Sequence, residues 1–126
     1  MEEEMTFQKL FTPQEANERL PLIKQIVFDI LKRGKTLQAM ATEFEGDLPK
    51  RGLKLQDELE SLMRELENLG CYFKDWNFEI GLVDFPSEIN GEVVFLCWRS
   101  DEPNVSWYHS IHTGYAGRSP IPEHLL

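Results

Sequence analysis

The amino-acid sequence predicts an α+β fold: a long antiparallel, coiled-coil-like helical hairpin followed by a small three-stranded antiparallel β-meander. Three observations lead to this prediction. Apolar residues between Ala16 and Leu69 recur at spacings that alternate between four and three, the heptad pattern of packed helices. After Gly70 the pattern changes to a period of two, which is typical of strands. Turn-forming pairs, Asn90-Gly91 above all, then divide the second half into short segments.

The length and composition fit one globular domain. A chain of 126 residues is long enough for one core and too short for two. Hydrophobic residues make up 41% and charged residues 28%, which is ordinary for a globular chain. We therefore expect a single domain, residues 1–126, with the hairpin at 12–70 and the sheet with an irregular C-terminal tail at 71–126.

The charge of the chain restricts its partners. A net charge of −9 repels the phosphates of nucleic acids and of anionic lipids. No apolar run approaches the roughly 18 residues of a membrane span. The acidic start, MEEEMTF, is the opposite of a secretory signal. We expect a cytoplasmic protein that binds neither nucleic acid nor membrane.

The first helix is predicted to begin after Thr12. Thr12 can cap it, Pro13 fits its first position, and Glu15 can close a capping box. Pro21 should kink or restart the helix because it lacks a backbone donor. Gly34 is expected to allow the two helices to approach closely. The apolar seam consists of Ala16, Leu20, Ile23, Val27, Ile30, Gly34, Leu37, Ala41 and Phe44.

The second helix is predicted to follow a turn at residues 46–49 and to end at Leu69, before a capping Gly70. Its seam consists of Leu55, Leu59, Leu62, Leu66 and Leu69. Three further apolar residues fall outside the shared seam: Ile26, Leu31 and Met63. Either a second copy, or another partner protein, or the C-terminal sheet can cover them. We expect a homodimer or a protein partner to bind through the hairpin.

The sheet is predicted to contain strands around Phe78–Phe85, at Glu92–Arg99 and at Val105–Ile111. Asn90-Gly91 indicates a type I′ turn between the first two, since both residues tolerate positive φ. Pairing symmetrical about this turn places Asp84 opposite Cys97. Cys97, flanked by apolar residues, is expected to be an inert buried thiol.

Four stretches resemble an uncharacterised prokaryotic family, domain of unknown function 2203: FTPQEANERLPLI, GLVDFP, VFLCWR and WYHSIHTGYAGRSPI. In the family pattern an aromatic-His pair, two glycines and an Arg-x-Pro close the domain. The matching positions here are Tyr108-His109, Gly114, Gly117 and Arg118-Ser119-Pro120. His112 stands where an acidic residue is more usual. The resemblance implies a shared fold and implies no activity.

The candidate site lies in and beside residues 93–118. This stretch holds Arg99 and Arg118, two of the few cations in the acidic second half. Asp84 is a charge within an apolar strand, and its burial is costly unless a cation pairs with it. Arg99, on the same face of the sheet, is the expected structural partner. Alternatively, one of these cations faces a small anionic ligand.

His109 and His112 are weak candidates for a metal site. Residues three apart in a strand point to opposite sides, and a site would also need a carboxylate such as Asp84 or Glu102. The simpler interpretation of His109 is an imidazole that hydrogen-bonds a backbone carbonyl or a carboxylate. We predict no cofactor and assign no catalytic residue.

Two functions remain open. The first is a non-enzymatic binding or interaction module, with the hairpin for self-association and an aromatic, Arg and His cap as the site. The second is an enzyme or sensor for a small anionic ligand, held by Arg99, Arg118 and His109. In the second case these three side chains should converge on a pocket; in the first they should be tied to one another and to Asp84. The candidate ligand-binding residues are Asp84, Trp98, Arg99, Trp107, His109, Tyr115 and Arg118.

Overall fold

The computed structural model describes residues 7–126, and its two helices followed by a five-stranded antiparallel sheet make the fold α+β. Helix α1 spans Pro13–Glu43 and helix α2 spans Lys50–Asn68. The strands are β1 Tyr72–Phe73, β2 Leu82–Ile89, β3 Glu92–Arg99, β4 Trp107–Ser110 and β5 Ser119–Pro120. Across residues 7–126, no helix combines the length and the apolarity needed to span a membrane.

The start of α1 is the predicted capping box. The Thr12 side chain accepts a hydrogen bond from the Glu15 N–H at 3.1 Å, and the Glu15 carboxylate accepts one from the Thr12 N–H at 3.0 Å. Of the two effects expected at Pro21, a restart of the helix is wrong, because α1 continues through this residue without interruption. Pro21 lies at the exposed surface, while its neighbours Leu20 and Ile23 are buried. Their packing outweighs the one hydrogen bond that the proline removes.

The core lies between α1 and one face of the sheet, which we call the inner face. One hydrophobic cluster joins Leu20, Ile23, Val27 and Ile30 of α1 to Val83, Phe85, Leu96 and Trp98 of the sheet. Phe11, just before α1, packs edge-on against Phe85 with ring centroids 5.4 Å apart. Its backbone N–H also donates to the Pro86 carbonyl at 2.6 Å. The sheet is therefore one cover for the apolar stripe of α1.

The second half of α1 packs against α2. Arg33 Nε donates to Glu58 Oε2 at 3.0 Å, and Leu59 and Leu66 of the predicted seam are buried. The expectation for Gly34 is wrong. The space beside it holds the ring of Phe78, which a Cβ at position 34 would approach to 2.3 Å. The loop after α2 thus returns to α1 and packs an aromatic ring where a second helix was expected.

The sheet has five strands in sequence order rather than the three predicted. The two additional strands, β1 and β5, are each two residues long, which is too short to produce a visible period. Strands β2 and β3 pair symmetrically about Asn90-Gly91, whose φ angles are 54° and 78°. Asp84 lies opposite Cys97, as predicted. The strand predicted at Val105–Ile111 is limited to β4.

Strand β2 begins later than the strand predicted around Phe78–Phe85. Asp75 provides the reason, because its carboxylate holds the preceding segment as a loop. It accepts hydrogen bonds at 3.0, 2.9 and 2.8 Å from the backbone N–H groups of Asn77, Glu79 and Ile80. Phe78 has a φ of 56°, which is incompatible with a strand.

Candidate functional site

A cavity of about 320 Å³ opens on the outer face of the sheet, the face that points away from α1. Successive residues of a strand point to opposite faces, and the strand residues that line the cavity all belong to the outer set of β2, β3 and β4. Its buried polar side chains are Asp84, Cys97 and His109. Its apolar walls include Leu82, Phe95 and Ile111, with Lys74 and Tyr115 nearer the solvent.

Asp84 and His109 form a buried pair in this cavity. His109 Nε2 lies 3.1 Å from Asp84 Oδ1, and the two residues are only 5% and 4% exposed. His109 Nδ1 lies 2.8 Å from the Ser110 carbonyl oxygen. Both ring nitrogens therefore face oxygen atoms, so the imidazole donates to both when it is protonated. The hydrogen bond to Asp84 raises the pKa of His109, against the opposing effect of burial.

The simpler interpretation of His109 agrees with this geometry, since the ring contacts one carbonyl and one carboxylate. The expected partner of Asp84 was wrong, because Asp84 pairs with His109 and does not pair with Arg99. Asp84 lies opposite Cys97, and His109 lies opposite Phe95, the preceding residue on the same face of β3. His109 and Asp84 are therefore diagonal neighbours across β3, which lets the imidazole reach the carboxylate.

Cys97 lies beside this pair. The Cys97 sulfur, one Asp84 oxygen and one His109 nitrogen all lie within 4.8 Å of one another. Burial, and secondarily the charge of Asp84, raise the pKa of the Cys97 thiol to about 12. Because both His109 nitrogens already face oxygens, neither is positioned to take the thiol proton. The three residues therefore do not form a nucleophile with its base.

Lys74 supplies a cation at the mouth of the cavity. Its ammonium lies 3.9 Å from Asp84 Oδ2 and 5.6 Å from the centre of the Phe95 ring. The side chain is 49% exposed, so it is free to turn toward solvent or toward a bound molecule. No pattern in the sequence indicates Lys74 as a site residue. Its position follows from the pairing of β1 with β2, which the sequence does not indicate.

The two arginines are paired with the acidic residues of the turn after β3. Arg99 donates to both oxygens of Asp101 at 2.6 and 2.7 Å, and Arg118 donates to both oxygens of Glu102 at 2.9 and 2.7 Å. Both guanidinium groups pack on the Tyr115 ring, and Arg99 also donates to its hydroxyl. Tyr115 thus links the arginines to the cavity, which they do not line.

The remaining candidates lie apart from the cavity. Trp98 is 1% exposed on the inner face, where its Nε1–H donates to the Glu102 carbonyl at 3.0 Å. Trp107 lies beneath Arg118, whose guanidinium is 4.6 Å from its ring centre. His112 is exposed. Within the described part of the chain, the group able to hold a metal ion joins His109 to Asp84 and Cys97, and it does not include His112.

The sequence predicted the position of Cys97 in the sheet but not its place in a polar group. The turn at Asn90-Gly91 placed Cys97 opposite Asp84, but its apolar neighbours favoured an inert thiol. The register of β4, which adds His109 to the group, depends on the turn that follows Arg99 and has no comparable signal in the sequence.

Comparison with known proteins gives one positive result. No curated protein matches the chain, and no solved structure matches it. Residues 9–121 match the family described as "Uncharacterized conserved protein (DUF2203)", in agreement with the four stretches noted above. Since this match covers most of its length, the chain belongs to the DUF2203 family.

Proposed function

We propose that the protein is a non-enzymatic binding module and that the outer-face cavity is its ligand site. The helical layer and the inner face of the sheet form the core, so the cavity lies on a supported surface. The observation that carries the proposal is the combination of a cavity of about 320 Å³ with a buried, hydrogen-bonded Asp84–His109 pair. Concave sites with apolar walls and a few oriented polar groups are typical of small-molecule binding.

Two features favour binding over nucleophilic catalysis. The Cys97 thiol has its pKa raised to about 12, so it is protonated at neutral pH. The adjacent imidazole has both nitrogens directed at oxygens, so it offers no general base to the thiol. The polar groups of the cavity are arranged to hold one another in place.

The ligand class that fits best is a small molecule with one negative charge and an apolar body. Among the described residues, the carboxylate nearest to the Lys74 ammonium lies 3.9 Å away, so Lys74 is available to an incoming anion. Arg99 and Arg118, the anion contacts of the alternative function, are bound by Asp101 and Glu102 at 2.9 Å or less. Lys74 therefore replaces them as the anion contact.

A thermal-shift screen tests this proposal. Metal-stripped protein is heated with inorganic phosphate and with a series of small aliphatic and aromatic carboxylates. At a concentration one hundred times Kd, binding adds about 2.7 kcal/mol to the free energy of unfolding, a shift of several degrees. We expect one class of carboxylate to stabilise the wild-type protein and not the Lys74→Ala variant. The matched control is Lys35→Ala, at an exposed position of α1, which should respond like wild type.

Two results would reject anion binding in this cavity. One is that none of these anions shifts the melting temperature of the wild-type protein. The other is that an active anion stabilises Lys74→Ala and Lys35→Ala equally, because the contact would then lie elsewhere.

We also propose that the helices pack as a coiled-coil-like hairpin and that this hairpin mediates self-association. A groove of about 360 Å³ beside α2 is lined by Leu59, Met63 and Phe78, and Trp76 at its side is 66% exposed. An exposed tryptophan next to an apolar groove is typical of an interaction surface. We propose a cytoplasmic location as well, since both cysteines are free thiols, as is usual in a reducing compartment.

A further inference from the structure

The outer-face cavity brings together three different metal-ligating atoms from three neighbouring strands. The Asp84 carboxylate comes from β2, the Cys97 sulfur from β3 and a His109 nitrogen from β4. These atoms lie within 4.8 Å of one another, and all three residues are buried. Strands of one sheet are rigid supports, so the spacing of the three atoms is fixed by backbone pairing.

The orientation of His109 is a second, independent observation. The Ser110 carbonyl lies 2.8 Å from Nδ1 and therefore holds the ring hydrogen at that nitrogen. The lone pair of the neutral ring is then at Nε2, directed toward Asp84 Oδ1 at 3.1 Å. Two electron pairs that face each other at this distance need a positive centre between them, which is a proton on Nε2 when no metal is bound and can be a metal ion that replaces this proton. A backbone carbonyl that orients the distal ring nitrogen is also the usual support of a metal-binding histidine.

We propose that Asp84, Cys97 and His109 bind a divalent transition-metal ion, with Zn²⁺ as the best match. One thiolate, one imidazole and one carboxylate form a mixed sulfur, nitrogen and oxygen set, which suits Zn²⁺ or Co²⁺ and does not suit Mg²⁺ or Ca²⁺. Three protein ligands leave a fourth position that opens into the cavity. The ion is a ligand separate from the small anion proposed above, although both occupy the same cavity.

The exchange of protons for the ion balances in charge. Binding releases the Cys97 thiol proton and the His109 Nε2 proton to solvent, and the divalent ion replaces them. The total charge of the site, counted over the three side chains and the ion, is therefore unchanged. Two other cations lie nearby. Arg118 is neutralised by Glu102 at 2.7 Å, whereas Lys74, 3.9 Å from Asp84, must turn outward.

Cobalt titration of metal-stripped, untagged protein, kept reduced and free of added anionic ligands, tests the site. We expect a thiolate-to-cobalt charge-transfer band and the visible bands of four-coordinate Co²⁺, with a stoichiometry of one ion per chain. Cys97→Ser should abolish the charge-transfer band and weaken Co²⁺ binding by more than about a hundredfold, beyond the loss typical of an outer-shell change. The matched control is Cys71→Ser, at the other buried free cysteine, which should retain the band.

Lys74→Ala separates this proposal from the anion site. Removing this ammonium should strengthen Co²⁺ binding while it weakens anion binding, so the two sites respond in opposite directions. A protein that binds a carboxylate but no Co²⁺ would refute the metal site alone. A protein that binds Co²⁺ but no carboxylate would refute the anion site alone.

Alkylation of the wild-type protein avoids dependence on a variant that fails to fold. Iodoacetamide is applied with and without Zn²⁺, and the labelled peptides are quantified by mass spectrometry. We expect Zn²⁺ to slow the alkylation of Cys97 more than that of Cys71. Equal protection of both cysteines, the absence of the charge-transfer band in wild type, or its persistence in folded Cys97→Ser would each overturn the proposal.

Discussion

The Asp84 carboxylate reaches His109 across the width of a strand: its Oδ1 lies 3.1 Å from His109 Nε2, although β3 separates β2 from β4. The pair is almost completely buried, so each side chain depends on the other for a hydrogen-bonding partner. Backbone pairing already holds β2, β3 and β4 together, and this contact adds a side-chain hydrogen bond between β2 and β4.

Removing one member of this pair should be strongly destabilising. Asp84→Ala leaves Nε2 of a buried imidazole without its oxygen, and breaking a buried pair costs about 3–5 kcal/mol. Urea unfolding at neutral pH in metal-free buffer measures the change in the free energy of unfolding. The control is Asp101→Ala, which breaks the exposed pair with Arg99 and should cost no more than about 1 kcal/mol. Equal losses in the free energy of unfolding for the two variants would show that the buried pair contributes no more stability than the exposed pair.

Gly34→Ala should destabilise the protein even though alanine favours helix by about 1 kcal/mol. The added Cβ would lie 2.3 Å from the Phe78 ring, and overpacking of this kind costs about 1–3 kcal/mol. A double-mutant cycle with Phe78→Ala checks the cause. In that background Gly34→Ala should become stabilising. A cost that is the same in both backgrounds would exclude the Phe78 ring as its origin.

The capping box should make stability depend on pH through Glu15. Its hydrogen bond from the Thr12 N–H, followed by that from Lys9, lowers the pKa of Glu15 from 4.5. A lowered pKa in the folded state stabilises the protein above pH 4.5, and this contribution disappears as the pH falls through the folded-state pKa. Glu15→Gln keeps the shape of the box without the charge. It should be less stable than wild type at pH 7 and equally stable well below pH 4.5.

Denaturant unfolding at both pH values measures this difference. Glu18→Gln, at an exposed position one turn along α1, serves as the control and should change stability little at either pH. A difference between wild type and Glu15→Gln that persists at low pH would assign the effect to shape rather than charge.

Self-association through the α2 groove should depend on Trp76. We expect the wild-type protein to sediment as a dimer at micromolar concentration, because burial of an exposed tryptophan and the apolar groove beside it is favourable. Trp76→Ser should sediment as a monomer. Phe28→Ser, which removes another exposed aromatic ring from α1, should remain dimeric. A wild-type protein that is monomeric at all concentrations would contradict the proposed contact.

Local signals in the sequence were sufficient for the capping box at Thr12 and for the register of β2 on β3. Both depend on residues close together in the chain, and positive φ at Asn90 and Gly91 sets which residues of the two strands face each other. For the same reason the sequence alone predicts that Cys97 lies opposite Asp84.

The partners of Asp84 and Arg99 could not be predicted in this way. Arg99 is bound by Asp101, only two residues further along, because the turn after β3 folds back. That turn is held by Glu102, whose side chain accepts from the Arg99 N–H at 2.8 Å and whose carbonyl accepts from Trp98. The same turn fixes the register of β4 and so delivers His109 to Asp84. Arg99 therefore binds Asp101 within this turn and does not bind Asp84, its diagonal neighbour in the β2–β3 pair.

The two outer strands of the sheet have a consequence for how copies of the chain can meet. Each is two residues long, and β5 contains Pro120, which has no N–H to offer another strand. These edge strands therefore offer few backbone N–H and C=O groups to a strand of another molecule, and continuous sheets between copies are disfavoured. Any assembly of this protein should join through side chains, as in the proposed contact at α2 and Trp76, and should stop at a defined number of subunits rather than grow as a fibre.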